Sequence, residues 1–273
     1  MIRRFAVAAV LISCLGAAGW AQSPPAPAAP VKPAAKKAAP KAKPAAKPLV
    51  AAETGPCHLG VIPVLGNQFA VEKFGLTVFE TEETEVPVDW GFDDIAFARV
   101  RAATGNDPAV RRISYPRNAF DPFYNPQSRL LHAQNETIPA IVQSITANSN
   151  CERYLVVTKL TVRLPNSTLE LNGIGTYNQG VGSMLRHSHM FANILLTLLD
   201  GKSYQKIDRT LAILRHRFSE SMRLTEDPLS RLDNSDYPDP PAAASSSALL
   251  REKARALVAA QVDHALPTYL NDE

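Results

Sequence analysis

The sequence lacks the short motifs that identify the common catalytic chemistries. It contains no Gly-x-Ser-x-Gly nucleophile elbow, no His-Glu-x-x-His zinc motif, no Gly-x-x-x-x-Gly-Lys-Ser/Thr phosphate loop and no Cys-x-x-Cys pair. The enzyme classes that use these motifs are therefore not indicated, and no cofactor is implied. The sequence favours a protein that is not an enzyme, although scattered His and Asp residues leave a hydrolase open.

Acidic residues are absent from the first 52 positions, and this part of the chain begins as an export signal. Arg3 and Arg4 precede an apolar run over residues 5–16, which is too short to span a bilayer as a mature anchor. Small residues at Gly19 and Ala21 flank Trp20 in the pattern of a cleavage site. We expect residues 1–21 to be a signal peptide, which leaves no transmembrane span after cleavage. The expected location is the periplasm.

An alternative processing route lies inside the same segment. The four residues that end at Cys14, Leu-Ile-Ser-Cys, are similar to the lipobox of bacterial lipoproteins. Lipidation at Cys14 would tether the protein to a membrane, whereas the apolar residues that follow Cys14 favour ordinary cleavage. The two routes stay open at this point.

Residues 22–50 form an arm with almost no composition beyond Ala, Pro and Lys. Such a segment has too little apolar surface to offset the entropy of ordering, so we expect it to be disordered. The composition resembles the Pro/Lys spacer of TonB-type proteins, which implies an exported bacterial envelope protein. The resemblance covers the arm only. The arm's basic residues are Lys32, Lys36, Lys37, Lys41, Lys43 and Lys47.

The basic charge of the chain belongs to this N-terminal part. The net charge is +3, and removing the six arm lysines, Arg3 and Arg4 leaves −5 for residues 51–273. A mildly acidic domain argues against nucleic-acid binding, which requires a basic patch on the fold. The arm lysines are candidates for contact with an envelope protein or an anionic envelope polymer or lipid, and a simple solvated spacer is the alternative.

Cysteine is scarce, with three residues in the chain. Cleavage after the signal would leave Cys57 and Cys151, an even pair that favours a disulfide in an exported protein. Each precedes a predicted strand, so parallel neighbouring strands would bring the two sulfur atoms together. Two buried free thiols are the alternative.

The remaining chain predicts one α/β domain over residues 51–273, with α+β as the alternative. Its strongest strand is Cys151–Leu164, which is rich in β-branched residues and covers a continuous apolar run. A helix with apolar residues at i, i+3, i+4 and i+7 from Ile138 precedes it, as in a βαβ unit. Gly66-Asn67 predicts a hairpin. A long loop is expected at 223–247, before a final helix that Ser247 caps and Pro267 ends. An acidic loop is expected at 80–85, a strand at 190–200 and a short helix at 210–218. Asp93 or Asp94 is the expected N-cap of a helix that runs to about Ala103.

Two candidates for a functional site remain. His187 and His189 would lie on one face of a strand, where a metal site needs a third ligand from elsewhere in space. His132, His216 and Asp200 are the candidates for that ligand. Trp90 and Phe92 stand beside two aspartates and form a candidate partner surface, with helix capping as the simpler interpretation. We therefore expect a non-catalytic binding or assembly accessory protein, and a periplasmic hydrolase or metal-binding enzyme as the alternative.

Overall fold

The computed structural model describes residues 55–75, 81–124, 134–164, 169–181, 185–207 and 229–270. The strands in chain order are β1 (Cys57–Val64), β2 (Gln68–Phe74), β3 (Glu82–Pro87), β4 (Val110–Arg112), β5 (Cys151–Lys159), β6 (Thr161–Arg163), β7 (Glu170–Asn172), β8 (Ile174–Val181), β9 (Leu185–Ala192), β10 (Ile194–Asp200) and β11 (Leu229–Leu232). The α-helices are α1 (Phe92–Ala103), α2 (Asp121–Tyr124), α3 (Gln134–Ile145) and α4 (Ala248–Leu270). Two 3-10 segments, Asn234–Asp236 and Pro241–Ser246, precede α4. The predicted α/β class is confirmed.

A four-stranded sheet forms around β1 and β5, in the order β10-β5-β1-β4. Both β4 and β5 run parallel to β1, while β10 is antiparallel to β5. The apolar run of β5 is buried from Tyr154 to Val157 because helices or the other sheet cover both of its faces. Because β1 lies between β4 and β5 in the sheet, the connection from β4 through α3 to β5 crosses over β1.

Cys57 and Cys151 form a disulfide that joins the first residues of β1 and β5. The two cysteines are register partners in the parallel pair, with Cα atoms 4.5 Å apart. The expected geometry is confirmed, because parallel neighbours begin at the same end of a sheet. The Tyr154 ring packs over Gly60 beside this bridge, where a Cβ would stand 2.6 Å from the ring.

A five-stranded mixed sheet has the order β11-β9-β8-β2-β3, and β6 with β7 forms a separate ribbon. The largest core cluster joins the inner face of this sheet to one face of the four-stranded sheet and to α1 and α4. A second cluster packs α2 and α3 on the opposite face of the four-stranded sheet. A third cluster lies on the outer face of the five-stranded sheet, below the β6–β7 ribbon.

The hairpin predicted at Gly66-Asn67 is wrong. Gly66 does adopt the left-handed conformation of a turn, with φ of 69°. The strands on either side, however, belong to different sheets, β1 to the four-stranded sheet and β2 to the five-stranded sheet. Each strand finds better partners elsewhere, because β1 pairs with β5 along almost its whole length and β2 pairs with β3 and β8.

Two further predictions change. The predicted strand 190–200 divides at Asn193, so that β9 pairs in one sheet and β10 in the other. Of the acidic stretch predicted as a loop at 80–85, residues 82–85 belong to the edge strand β3. Glutamates are tolerated there because they are exposed at the border of the sheet.

The predicted ends of α1 and α4 agree with the structure only in part. Ser247 caps α4 as predicted, with its Oγ accepting from the Leu250 N–H at 3.2 Å. Pro267 does not end α4, which continues to Leu270. Neither Asp93 nor Asp94 caps α1, whose N-cap residue is Gly91. The Asp93 carboxylate accepts from the N–H groups of Leu65 and Gly66 instead. The helix predicted at 210–218 lies outside the described residues.

Candidate functional site

The outer face of the five-stranded sheet carries one line of polar and aromatic side chains across all five strands. Register pairs connect Glu83 with Glu72, Glu72 with Tyr177, Tyr177 with His189, and His189 with Arg231. Directly opposed residues in a sheet point to the same side. We name these five residues, Glu83, Glu72, Tyr177, His189 and Arg231, the cross-strand row.

The acidic and the basic residues of the cross-strand row lie at opposite ends of it. Two glutamates occupy β3 and β2, a tyrosine lies in the middle, and a histidine and an arginine occupy β9 and β11. Glu83 and Arg231, at the two ends, are exposed, while Glu72 and Tyr177 are buried. With adjacent strands about 4.8 Å apart, the row is about 19 Å long. It therefore presents an acidic and a basic end to solvent, with an aromatic centre.

Glu72 is the most unusual member of the row because it is an acid in an apolar layer. Its alternate neighbours on β2, Ala70 and Phe74, belong to the outer core cluster, and Glu72 itself is 2 % exposed. Burial, with a smaller contribution from the negative charge of Glu83, raises its pKa to about 8. The Asn172 N–H donates to the carboxyl group and opposes this rise in pKa. At neutral pH the Glu72 side chain is therefore protonated.

One oxygen of this carboxyl group is left without a partner. Glu72 Oε1 is buried and accepts no hydrogen bond within the described part of the chain. A buried polar atom of this kind costs about 1–3 kcal/mol when it is unsatisfied. Such an atom marks a position where a proton, a water molecule or a ligand group is accommodated.

The centre of the row is an aromatic stack. The rings of Tyr177 and His189 lie 5.3 Å apart with an interplanar angle of 20°. Phe74 meets Tyr177 at 5.9 Å and Phe191 meets it at 6.4 Å, both in tilted arrangements. These contacts hold the tyrosine beside Glu72 in a defined orientation.

The histidine pair predicted from the sequence lies on this same face. His187 and His189 both belong to β9, with His187 exposed and His189 half-buried. Asp200, one of the third ligands considered, belongs to the other sheet, where it is the register partner of Arg153. His132 and His216 lie outside the described residues. Within residues 55–270, as far as they are described, no group of three His, Cys, Asp or Glu side chains is arranged to hold a metal ion.

The aromatic pair predicted as a partner surface is part of the core instead. Trp90 is 4 % exposed and Phe92 is 1 % exposed. The Trp90 ring packs against Phe69 at 4.8 Å and against Phe92 at 5.9 Å. Buried rings offer no area to a partner, so this prediction is corrected. Cys14 and the six arm lysines lie outside the described residues.

One hollow in the described structure is small. A hollow beside the 3-10 segments, lined by Val71, Lys73, Glu82, Tyr237 and Asp239 among others, has a volume of about 30 Å³. A small-molecule site commonly encloses about 300–1,000 Å³. In the described residues, moreover, no helix is long and apolar enough to cross a membrane.

Sequence reasoning missed Glu72, Tyr177 and Glu83. The signal for Glu72 is present in the alternation of β2, since it falls in phase with Ala70 and Phe74 on a strand whose two faces are both buried. Tyr177 and Glu83 become neighbours only through strand pairing between distant segments. Comparison with protein-family models, with curated proteins and with solved structures found no match for this chain.

Proposed function

We propose that this chain is a non-catalytic binding or assembly accessory protein of the bacterial cell envelope, exported to the periplasm. The observation that carries the proposal is the cross-strand row, with an acidic end at Glu83 and a basic end at Arg231. Separated charges on a sheet face favour recognition of a partner by electrostatic complementarity. The signal peptide and the basic arm predicted from the sequence support the envelope location.

The cross-strand row suits recognition by a surface. The hollow lined by Val71, Lys73 and Glu82 lies on the other face of the sheet and does not belong to the row. A face that binds a macromolecule needs no such cavity, since recognition there depends on a surface with a few buried anchor residues.

Site-specific photo-crosslinking in the native host tests the proposal. A photoreactive amino acid replaces Gln179, which is exposed on β8 and lies on the outer face beside Phe74 and His187. The control position is Glu252, exposed on α4. We expect a discrete adduct with an envelope component from position 179 and none from position 252. Identical adduct patterns at both positions, or no adduct at 179, would contradict a partner surface on this face.

The location and the arm require separate measurements. Intact mass of the protein purified from the envelope distinguishes cleavage after Ala21 from lipidation at Cys14. Deleting residues 22–48 tests the role of the arm lysines, since association with an anionic surface would be salt-sensitive and lost in the deletion variant.

A periplasmic hydrolase or metal-binding enzyme is the second candidate, and one observation favours it. Glu72, Tyr177 and His189 are adjacent on three neighbouring strands, a combination of groups suited to proton transfer. His187 and His189 would supply two of the ligands in a metal site. Stoichiometric zinc or copper in the purified protein, lost in His187→Ala and His189→Ala, would favour this candidate.

A further inference from the structure

Glu72 and Glu83 face each other directly across the antiparallel pair formed by β2 and β3. Carboxylates in directly opposed positions repel each other and destabilise a sheet. The next residue on the same face of β3, Glu85, is instead opposed by Ala70. With both groups ionised, this position would carry an electrostatic cost that is absent one step along the same strand, and Glu72 avoids that cost by keeping its proton.

In the described part of the chain, the groups that face the Glu72 carboxyl carry no positive charge. Glu83 faces it from β3, Tyr177 from β8 and the Asn172 N–H from β7. The Tyr237 hydroxyl donates to the Glu72 backbone oxygen rather than to its side chain. Lys73, the next residue on β2, points to the opposite face, where Glu82 is its register partner.

The two carboxyl groups differ in access to solvent. Glu83 is exposed at the edge of the sheet, whereas Glu72 is 2 % exposed and its Oε1 has no hydrogen-bond partner in the described structure. A positively charged group that enters from the sheet edge meets Glu83 first and Glu72 next. Its charge would offset the repulsion that opposes ionisation of Glu72 beside Glu83, so that both carboxylates would attract the bound cation.

The surroundings select among cations. Calcium takes six to eight oxygen ligands and structural zinc takes four ligands, whereas this position supplies two carboxyl groups. An ammonium group donates three hydrogen bonds, and the oxygens of two carboxyl groups are sufficient to accept them. An ammonium group on a flexible stem, as in a lysine side chain, is also long enough to reach inward from the edge strand.

We propose that Glu72 and Glu83 form a binding site for a primary ammonium group, which the protein uses to hold a lysine side chain of a partner polypeptide. This inference rests on the proposed binding function and adds the chemistry of the partner. Proton release accompanies binding. Glu72 is protonated in the free protein, and the incoming cation favours its carboxylate form, so the Glu72 proton leaves to solvent as the ammonium–carboxylate contact forms.

The test uses n-butylammonium chloride, which carries the four-carbon stem and ammonium group of lysine, against sodium chloride at the same ionic strength. Proton release is followed in weakly buffered solution by pH-stat titration of the intact chain. We expect butylammonium to release about one proton per bound probe at pH 6–7 and progressively less as the pH rises through about 8, where Glu72 ionises in the free protein. Under the same conditions butylammonium should raise the thermal midpoint more than sodium does.

Three variants complete the experiment. Glu72→Gln should lose the proton release and Glu83→Gln should weaken probe binding, while Glu85→Gln, with the same change of charge on the same strand and face, should behave as the native chain. Equal effects of butylammonium and sodium, a response to calcium alone, or equal losses in the Glu83 and Glu85 variants would overturn the proposal. If photo-crosslinking still captures a partner from position 179 in that case, the proposed function survives and only the ammonium site fails.

Discussion

Replacing Glu72 with glutamine should flatten the dependence of stability on pH. The pKa of Glu72 rises from 4.5 to about 8 on folding, chiefly because the carboxyl group is buried. Below pH 4.5 the side chain is protonated in both the folded and the unfolded chain, so it imposes no penalty. Between these two values the unfolded chain loses the proton and the folded chain keeps it, and the free energy of unfolding therefore falls as pH rises.

The magnitude follows from the size of this pH window. Each pH unit inside the window costs about 1.4 kcal/mol, because the folded state binds one proton more than the unfolded state. From pH 5 to pH 7 the loss attributable to Glu72 is thus about 2–3 kcal/mol. Glutamine has nearly the same shape and keeps an oxygen acceptor for the Asn172 N–H, but it does not titrate.

Urea unfolding of the native chain and of Glu72→Gln at pH 5, 6, 7 and 8 measures the effect. The stability difference between the two proteins should increase by about 2–3 kcal/mol in favour of glutamine from pH 5 to pH 7. Other titrating groups contribute equally to both proteins and cancel in the difference. Glu85→Gln, on the exposed edge strand, is the control and should run parallel to the native chain. Parallel pH curves for native chain and Glu72→Gln would refute the assignment of a buried, protonated carboxyl group.

Three further predictions concern the scaffold, and each is measured by urea unfolding. Replacing both Cys57 and Cys151 with alanine should lower the free energy of unfolding by about 4–5 kcal/mol, because the bridge closes a loop with a sequence separation of 94 residues. An unchanged unfolding midpoint in the variant would contradict this. Asp93→Ala should lower the free energy of unfolding by about 1–3 kcal/mol, because two backbone N–H groups in the turn after β1 lose their acceptor. A loss no larger than that from replacing an exposed aspartate would show that solvent replaces the carboxylate. Gly175→Ala should lower the free energy of unfolding by about 1–3 kcal/mol, because the new Cβ would stand 2.4 Å from the Ala70 carbonyl oxygen and force β2 and β8 apart. An unchanged free energy of unfolding would mean that the two strands separate at little cost.

Local patterns predicted the elements that depend on neighbouring residues. The helical spacing from Ile138 identified the buried face of α3, and Ser247 was recognised as the cap of α4. The β-branched run of β5 marked a central strand, and the scarcity of cysteine made one pairing stand out. These signals succeed because they express the periodicity of a backbone segment or the chemistry of a single residue.

Pairing between strands was predicted less well. Gly66-Asn67 forms a turn, but a turn dipeptide does not determine whether its two strands pair with each other or diverge into separate sheets. Asn193 shows the same difficulty, because the break between β9 and β10 follows from two sheets competing for one chain segment. Partner choice depends on the total burial over several strands, which no local window contains.

The sequence by itself determined the class of fold, the acidic character of residues 51–273, the candidate disulfide and the expectation of export, because composition and periodicity carry that information directly. The tertiary structure alone decided that Trp90 and Phe92 are core residues and that Glu72 is buried opposite Glu83. Glu72 and Glu83 come from neighbouring strands, whereas Tyr177 and His189 come from more than 90 positions further along the chain. Sheet register brings these residues together, and register is set by the packing of the whole domain.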